Sequence, residues 1–120
     1  MSASTLDPES PLPLTPAVFH VLLALAEQEL HGYGIMQSVK HSTEGVIKMG
    51  PGTLYGTLKR LLEMRWVVES GERPDPTMDD ERRRYYALTD LGRRVLQAEL
   101  NRYARIVREA RSRKLIPRPN

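Results

Sequence analysis

The sequence contains no cysteine. Thiol catalysis, disulfide stapling and every zinc site that needs thiolates are therefore excluded, and the chain is compatible with a reducing cytoplasm. Long apolar runs are missing too. The longest, Ala17 to Ala26, is interrupted by His20 and is too short to cross a bilayer. Met1 to Thr5 lacks the basic and apolar regions of a secretory signal. A length of 120 residues holds one ordinary domain, which excludes a barrel enzyme or a doubly wound sheet with a full cofactor site.

Charge of one sign is also scarce overall, with a net of only +3. Its distribution is uneven. Residues 1–30 carry −4, residues 31–65 carry +3, residues 66–90 carry −3 and residues 91–120 carry +7. Clustered positive charge is the footprint of phosphate binding, although solvated helix surface gives the same pattern.

Residues 1–14 hold Pro8, Pro11 and Pro13 among small polar residues, a composition that predicts a flexible arm. Thr15-Pro16 forms an N-cap followed by proline at the first helical position. Val18, Leu22, Leu25 and Ala26 then recur at helical spacing, so a first helix is expected to end near Gln28, before a turn at Leu30-His31-Gly32. Tyr33, Ile35, Met36 and Val39 predict a second helix, with Tyr33 read as one of its core residues. After Gly50-Pro51-Gly52, the residues Leu54, Leu58, Leu61 and Leu62 predict a third helix ending near Met64. Trp66 to Ser70 is a short β-rich run in which Trp66 suits the core better than a ligand site. Gly71 to Glu81 reads as an exposed, acidic loop. Arg82 to Leu88 alternates as a returning strand with Tyr86 and Leu88 inward and Arg83 and Tyr85 outward. Thr89 caps a last helix along which Leu96, Leu100, Tyr103, Val107 and Ala110 step as a short heptad seam.

Three helices followed by two strands is the layout of a winged helix-turn-helix. The fold expected is mainly α, with a small two-stranded antiparallel wing and a C-terminal helix suited to dimerisation. Its parts are an arm over 1–14, a winged-helix domain over 15–90, the C-terminal helix over 91–112 and a tail over 113–120. The third helix fits a major groove, and wing residues can touch the flanking backbone. Gly52 and Gly56 let backbone approach phosphate closely, and free N–H groups at a helix start attract anions. Thr53, Tyr55 and Lys59 are the candidates for contact along this helix. Lys48 just before it and Arg82 and Arg83 at the wing base are candidates for the DNA backbone. Asp75, Asp79, Asp80 and Glu81 would repel phosphate, so the wing tip is not assigned a DNA contact. Tyr55 suits either DNA contact or packing on the second helix; its place one residue past inward Leu54 favours exposure. Arg60 neighbours inward Leu61 and is the weaker candidate.

Three blocks in this order resemble the PadR family of transcriptional regulators. They are His31-Gly32-Tyr33-Gly34-Ile35, Gly52-Thr53-Leu54-Tyr55-Gly56-Thr57-Leu58-Lys59-Arg60-Leu61, and Arg84-Tyr85-Tyr86-Ala87-Leu88-Thr89-Asp90-Leu91-Gly92. The resemblance runs from about Leu14 to Arg111. It implies a homodimeric repressor on double-stranded inverted-repeat operators. It also implies that the C-terminal helix pairs with the first helix and with the partner's C-terminal helix, and that some members respond to small phenolic or drug-like ligands near that interface. One departure is Arg65, where the family often has glycine after the third helix; a left-handed backbone ends a helix cheaply only with glycine.

Val18, Leu22, Leu96, Leu100, Tyr103 and Val107 are the candidates for a dimer face or a small hydrophobic effector site. His20, His31 and His41 are too scattered for a metal site, and His31 is expected to bond a backbone group at its turn. No nucleophile elbow, carboxylate pair or phosphate loop is present. The expectation is a cytoplasmic, cofactor-free DNA-binding regulator that is neither an enzyme nor a membrane protein. The alternative is a winged-helix protein-interaction module that does not bind DNA.

Overall fold

The structure is a computed structural model in which residues 7–74 and 82–117 are described. The acidic stretch 75–81 read as the wing tip, residues 1–6 of the arm and the last three residues of the tail lie outside the described part. The elements are α1 (Pro16–Glu27), β1 (Leu30–His31), α2 (Gly32–Ser42), α3 (Pro51–Glu63), β2 (Val67–Pro74), β3 (Arg82–Leu88) and α4 (Asp90–Ser112).

Local chemistry starts three of the four helices. Thr15 Oγ1 accepts the Val18 N–H at 3.3 Å ahead of Pro16. His31 Nδ1 accepts the Gly34 N–H at 2.9 Å and so caps α2, the backbone role expected of it. Thr89 Oγ1 accepts the Gly92 N–H at 3.0 Å at the start of α4. Each such cap satisfies an N–H that the helix itself leaves open.

The helix ends share a device as well. At the end of α3 the Arg65 N–H donates to Leu62 O at 3.1 Å and the Trp66 N–H to Leu61 O at 3.0 Å. This double closure needs a left-handed residue, and Arg65 adopts φ +64. α2 and α4 close the same way with Glu44 at φ +52 and Lys114 at φ +61. Arg65 thus accepts the conformation that glycine would adopt more cheaply.

The sheet has three antiparallel strands in the order β1-β3-β2 rather than two. Leu30 pairs with Tyr86 and His31 with Tyr85, so the residues read as a turn also add a short strand. β2 runs on to Pro74, beyond the Ser70 at which the sequence pattern stops. The pairing slips between Glu69 and Gly71, and Gly71 takes φ +121 there. A bulge of this kind lets a strand continue through residues that read as loop.

The core lies between the helices and the inner sheet face. It gathers Val21, Leu22 and Leu25 from α1, Ile35 and Val39 from α2, Leu54, Leu58 and Leu61 from α3, Trp66, Val67 and Tyr86 from the wing, and Val95 and Leu96 from α4. Burying a leucine contributes about 2 kcal/mol, so three leucines on one side of α3 hold that helix with its opposite side outward. Tyr86 is buried as expected, and burial pushes its phenol up from the ordinary value.

Several side chains depart from the expected orientations. Arg83 and Tyr85 are half-buried; at Tyr85 this follows from β1 pairing with β3 and from the His31 ring, which sits edge-on to it at 5.2 Å. Tyr33, read as core, is exposed. Leu14, at the end of the expected arm, is buried, and its N–H donates to Glu99 at 2.8 Å. Val18, Leu22 and Leu96, expected at a dimer or ligand face, are buried in the core of the single chain. Leu100, Tyr103 and Val107 are only half-buried.

Candidate nucleic-acid interface

The outward side of α3 carries Gly52, Thr53, Tyr55, Gly56, Lys59, Arg60 and Glu63, all exposed. Their spacing follows from the leucines. With Leu54, Leu58 and Leu61 inward, residues 52, 56, 59, 60 and 63 must project from the opposite side of a helix of 3.6 residues per turn. Thr53 and Tyr55 lie on its two flanks.

The start of α3 differs from the other three helix starts. Gly50 occupies the cap position and no side chain bonds the first N–H groups. A Cβ built on Gly50, Gly52 or Gly56 would meet nothing within 4 Å. These glycines are therefore not needed for internal packing. They leave bare backbone at a positive helix end, an arrangement that suits an anion.

Tyr55 packs on the second helix and stays partly exposed. Its hydroxyl lies against Gly32, where any Cβ would collide with it, and the residue is still 48% exposed. The tyrosine thus packs on the start of α2 and presents its remaining surface on the flank of α3 next to Lys59.

Lys48, Lys59 and Arg60 are exposed and form no ion pair among the described residues. The wing cations are engaged differently. Arg73 pairs with Glu29 and lies over the Tyr85 ring at 4.2 Å; this pairing holds the Glu29 carboxyl below its ordinary value. Arg84 lies 3.7 Å from Glu72. Arg83 sits opposite Arg73 in the strand pairing, half-buried, while the side chain of Arg82 lies outside the described part. Gly52, Thr53, Tyr55 and Lys59 thus lie on the outward side and flanks of α3, Lys48 is exposed three residues before it, and Arg83 lies on the separate wing.

Two residues escaped the sequence pattern. Tyr33 is exposed next to the Gly32–Tyr55 contact. Glu99 is fully buried on α4 and receives Arg102 at 2.6 Å as well as the Leu14 N–H. Nothing local marks either one, since both depend on what the fold brings beside them. His20 is half-buried, its imidazole pulled below the ordinary value by burial, and its ring lies edge-on to Phe19 at 5.0 Å. Among the described residues no three His, Asp or Glu side chains gather as a metal site, and no helix is long and apolar enough to cross a membrane.

Comparison with known proteins fits this architecture. A protein of 37.1 kDa from a Streptomyces fradiae transposon is 37% identical over 86 residues, which is 72% of this chain and 22% of that protein. The chain thus spans only about a fifth of that relative. A PadR family transcription regulator from Clostridium difficile superposes with a TM-score of 0.67 at 19% identity, covering 82% of this chain and 97% of that one. Bacillus subtilis PadR in complex with operator DNA superposes with a TM-score of 0.62 at 24% identity, covering 73% and 48%. Both share the fold of four helices and a small antiparallel sheet. The model of the transcriptional regulator PadR-like family matches residues 21–98, and the chain belongs to that family.

Proposed function

We propose that the protein is a homodimeric, sequence-specific DNA-binding regulator that acts in the cytoplasm as a repressor of a nearby operon. The observation that carries this reading is the outward side of α3: Lys48, Lys59 and Arg60, exposed and without an ion pair among the described residues, around a glycine-rich helix start that no described side chain caps. α3 enters a major groove, where Thr53 and Tyr55 face base edges and Lys59 lies between base and phosphate. Lys48 and the exposed N–H groups beside Gly52 meet the backbone, and Arg82 and Arg83 touch it from the wing. Support for DNA as the partner comes from the family and from the operator complex of the Bacillus subtilis relative.

In this reading two subunits meet through α4, with Leu100, Tyr103 and Val107 offering half-buried apolar surface. Each places α3 on one half of an inverted repeat, about one helical turn apart. A small aromatic or drug-like effector binding at that junction relieves repression.

The test is fluorescence anisotropy of the purified protein on the duplex upstream of its own coding sequence, across a salt series. Affinity is expected to fall steeply with salt, and Lys59→Ala to reduce the log–log slope by about 0.9 for each phosphate that Lys59 neutralises. Sedimentation equilibrium is expected to give a dimer. Weak, salt-independent binding, or a Lys59→Ala protein that binds like its parent at every salt concentration, would refute the assignment.

A further inference from the structure

Tyr33 is 51% exposed on the first turn of α2. Its neighbours Ile35 and Val39 are buried, while Gln37 and Lys40 are exposed. Spacings of four and three residues place Tyr33, Gln37 and Lys40 in one outward stripe. An aromatic ring normally gains most from burial, so its position in this stripe is not explained by packing of the domain.

The ring is nevertheless held. The His31 imidazole stacks on it with centroids 6.4 Å apart and planes 28° apart. His31 is itself fixed, because it caps α2 through Gly34 and lies against Tyr85. The adjoining Gly32 is where the Tyr55 hydroxyl of α3 rests. Tyr33 therefore stands one residue from the point where α2 meets the outward flank of α3. Its hydroxyl bonds no other described residue. The result is a neutral hydrogen-bond donor on an ordered ring, in a stripe that continues to Lys40.

We propose that Tyr33 is a phosphate-contacting residue of the DNA interface. Its hydroxyl donates to a backbone phosphate beside the groove that α3 enters, and His31 holds the ring in place for that bond. This inference rests on the DNA-binding reading above. In helix-turn-helix proteins the helix before the one in the groove crosses the backbone, and tyrosine hydroxyls are among the usual donors to phosphate. Because the ring is already ordered by His31, little rotamer freedom remains to be lost on binding.

A neutral donor leaves a distinct mark. It displaces no counterion, so its loss weakens binding equally at every salt concentration. It carries no base information, so its loss weakens binding equally on any sequence. The experiment measures anisotropy of the parent and Tyr33→Phe on the protein's own upstream duplex and on an unrelated duplex of equal length, each over a salt series. Tyr33→Phe is expected to bind about tenfold more weakly on both duplexes, with the parent's salt slope. His31→Asn keeps a capping side chain but removes the stacked ring, and it is expected to lose part of the same affinity, about threefold, while Tyr33→Phe melts like the parent. A Tyr33→Phe protein that binds like the parent overturns this inference alone. A loss confined to the upstream duplex overturns it too, by assigning the hydroxyl to a base edge. A parent that binds neither duplex overturns both this inference and the DNA-binding reading.

Discussion

Glu99 offers the most demanding check on the packing of this fold. Its side chain is fully enclosed. One carboxylate oxygen accepts Arg102 Nε at 2.6 Å; the other accepts Arg102 Nη2 at 3.2 Å and the Leu14 N–H at 2.8 Å. A bond to a charged group contributes about 1.5–3 kcal/mol. Arg102 remains 31% exposed and regains water when its partner is removed, so it adds little to the loss. The Leu14 N–H has no such recourse, and leaving it unmet costs about 1–3 kcal/mol. Glu99→Ala is thus expected to lose about 3 kcal/mol in all. Glu99→Gln keeps an acceptor for Leu14 and should lose about 1 kcal/mol, by the same accounting. At about 4 °C per kcal/mol for a chain of this size, thermal unfolding followed by circular dichroism at pH 7 should fall by about 12 °C and about 4 °C. The Arg102 guanidinium, and then the Leu14 N–H and Tyr103, hold the Glu99 carboxyl below its ordinary value of 4.5, against the opposing effect of burial. A depressed carboxyl contributes stability that is complete above the ordinary value and is lost as pH falls through the lower, folded value. The gap between parent and Glu99→Gln should therefore be full at neutral pH and close progressively below about pH 4.5. An alanine variant that melts within a degree of the parent, or a glutamine gap that does not change with acid, would refute the assignment of Glu99 as the anchor of the segment before α1.

Two further substitutions probe the backbone. Arg65→Gly removes a Cβ from a left-handed position and should stabilise the protein by about 1 kcal/mol, read as a shift in urea midpoint at constant slope; an unchanged or lower midpoint would contradict the helix-end geometry. Gly92→Ala would drive a Cβ into the Trp66 carbonyl, a backbone group that cannot swing aside, at an expected cost of about 3 kcal/mol. Because Trp66 is the sole tryptophan, a red shift of its emission should accompany that loss.

Much of the helical framework was legible because it rests on local chemistry. Thr15-Pro16, Gly50-Pro51-Gly52 and Thr89 mark three helix starts with side-chain or ring constraints that act within a few residues. The leucine spacing of α3 exposes its outward face by geometry alone. The misses required distant partners. Leu30 and His31 become a strand only because Tyr86 and Tyr85 arrive from more than fifty residues away. β2 passes through Gly71 only because a bulge absorbs the extra residue. Glu99 looks like a surface acid until Leu14 and Arg102 close over it. Tyr33 falls in an apolar pattern, yet Ile35 and Val39 fill the space it was expected to occupy. Val18, Leu22 and Leu96 fit a helix seam equally well whether the opposite face belongs to the same chain or to another, and spacing alone cannot distinguish the two.

The Thr89 hydroxyl has a mechanical consequence. It donates to Arg65 O at 2.6 Å, accepts the Gly92 N–H, and its own N–H donates to Trp66 O at 3.0 Å. One residue thus rivets the first turn of α4 to the two residues that follow the cap of α3. A lever pivoted at a rigid joint transmits its tilt, so a rotation of α4 about its own base either moves the residues after α3 with it or shears the two bonds to Arg65 and Trp66. Whatever bends the long helix would be felt, through a single threonine, at the residues that end α3.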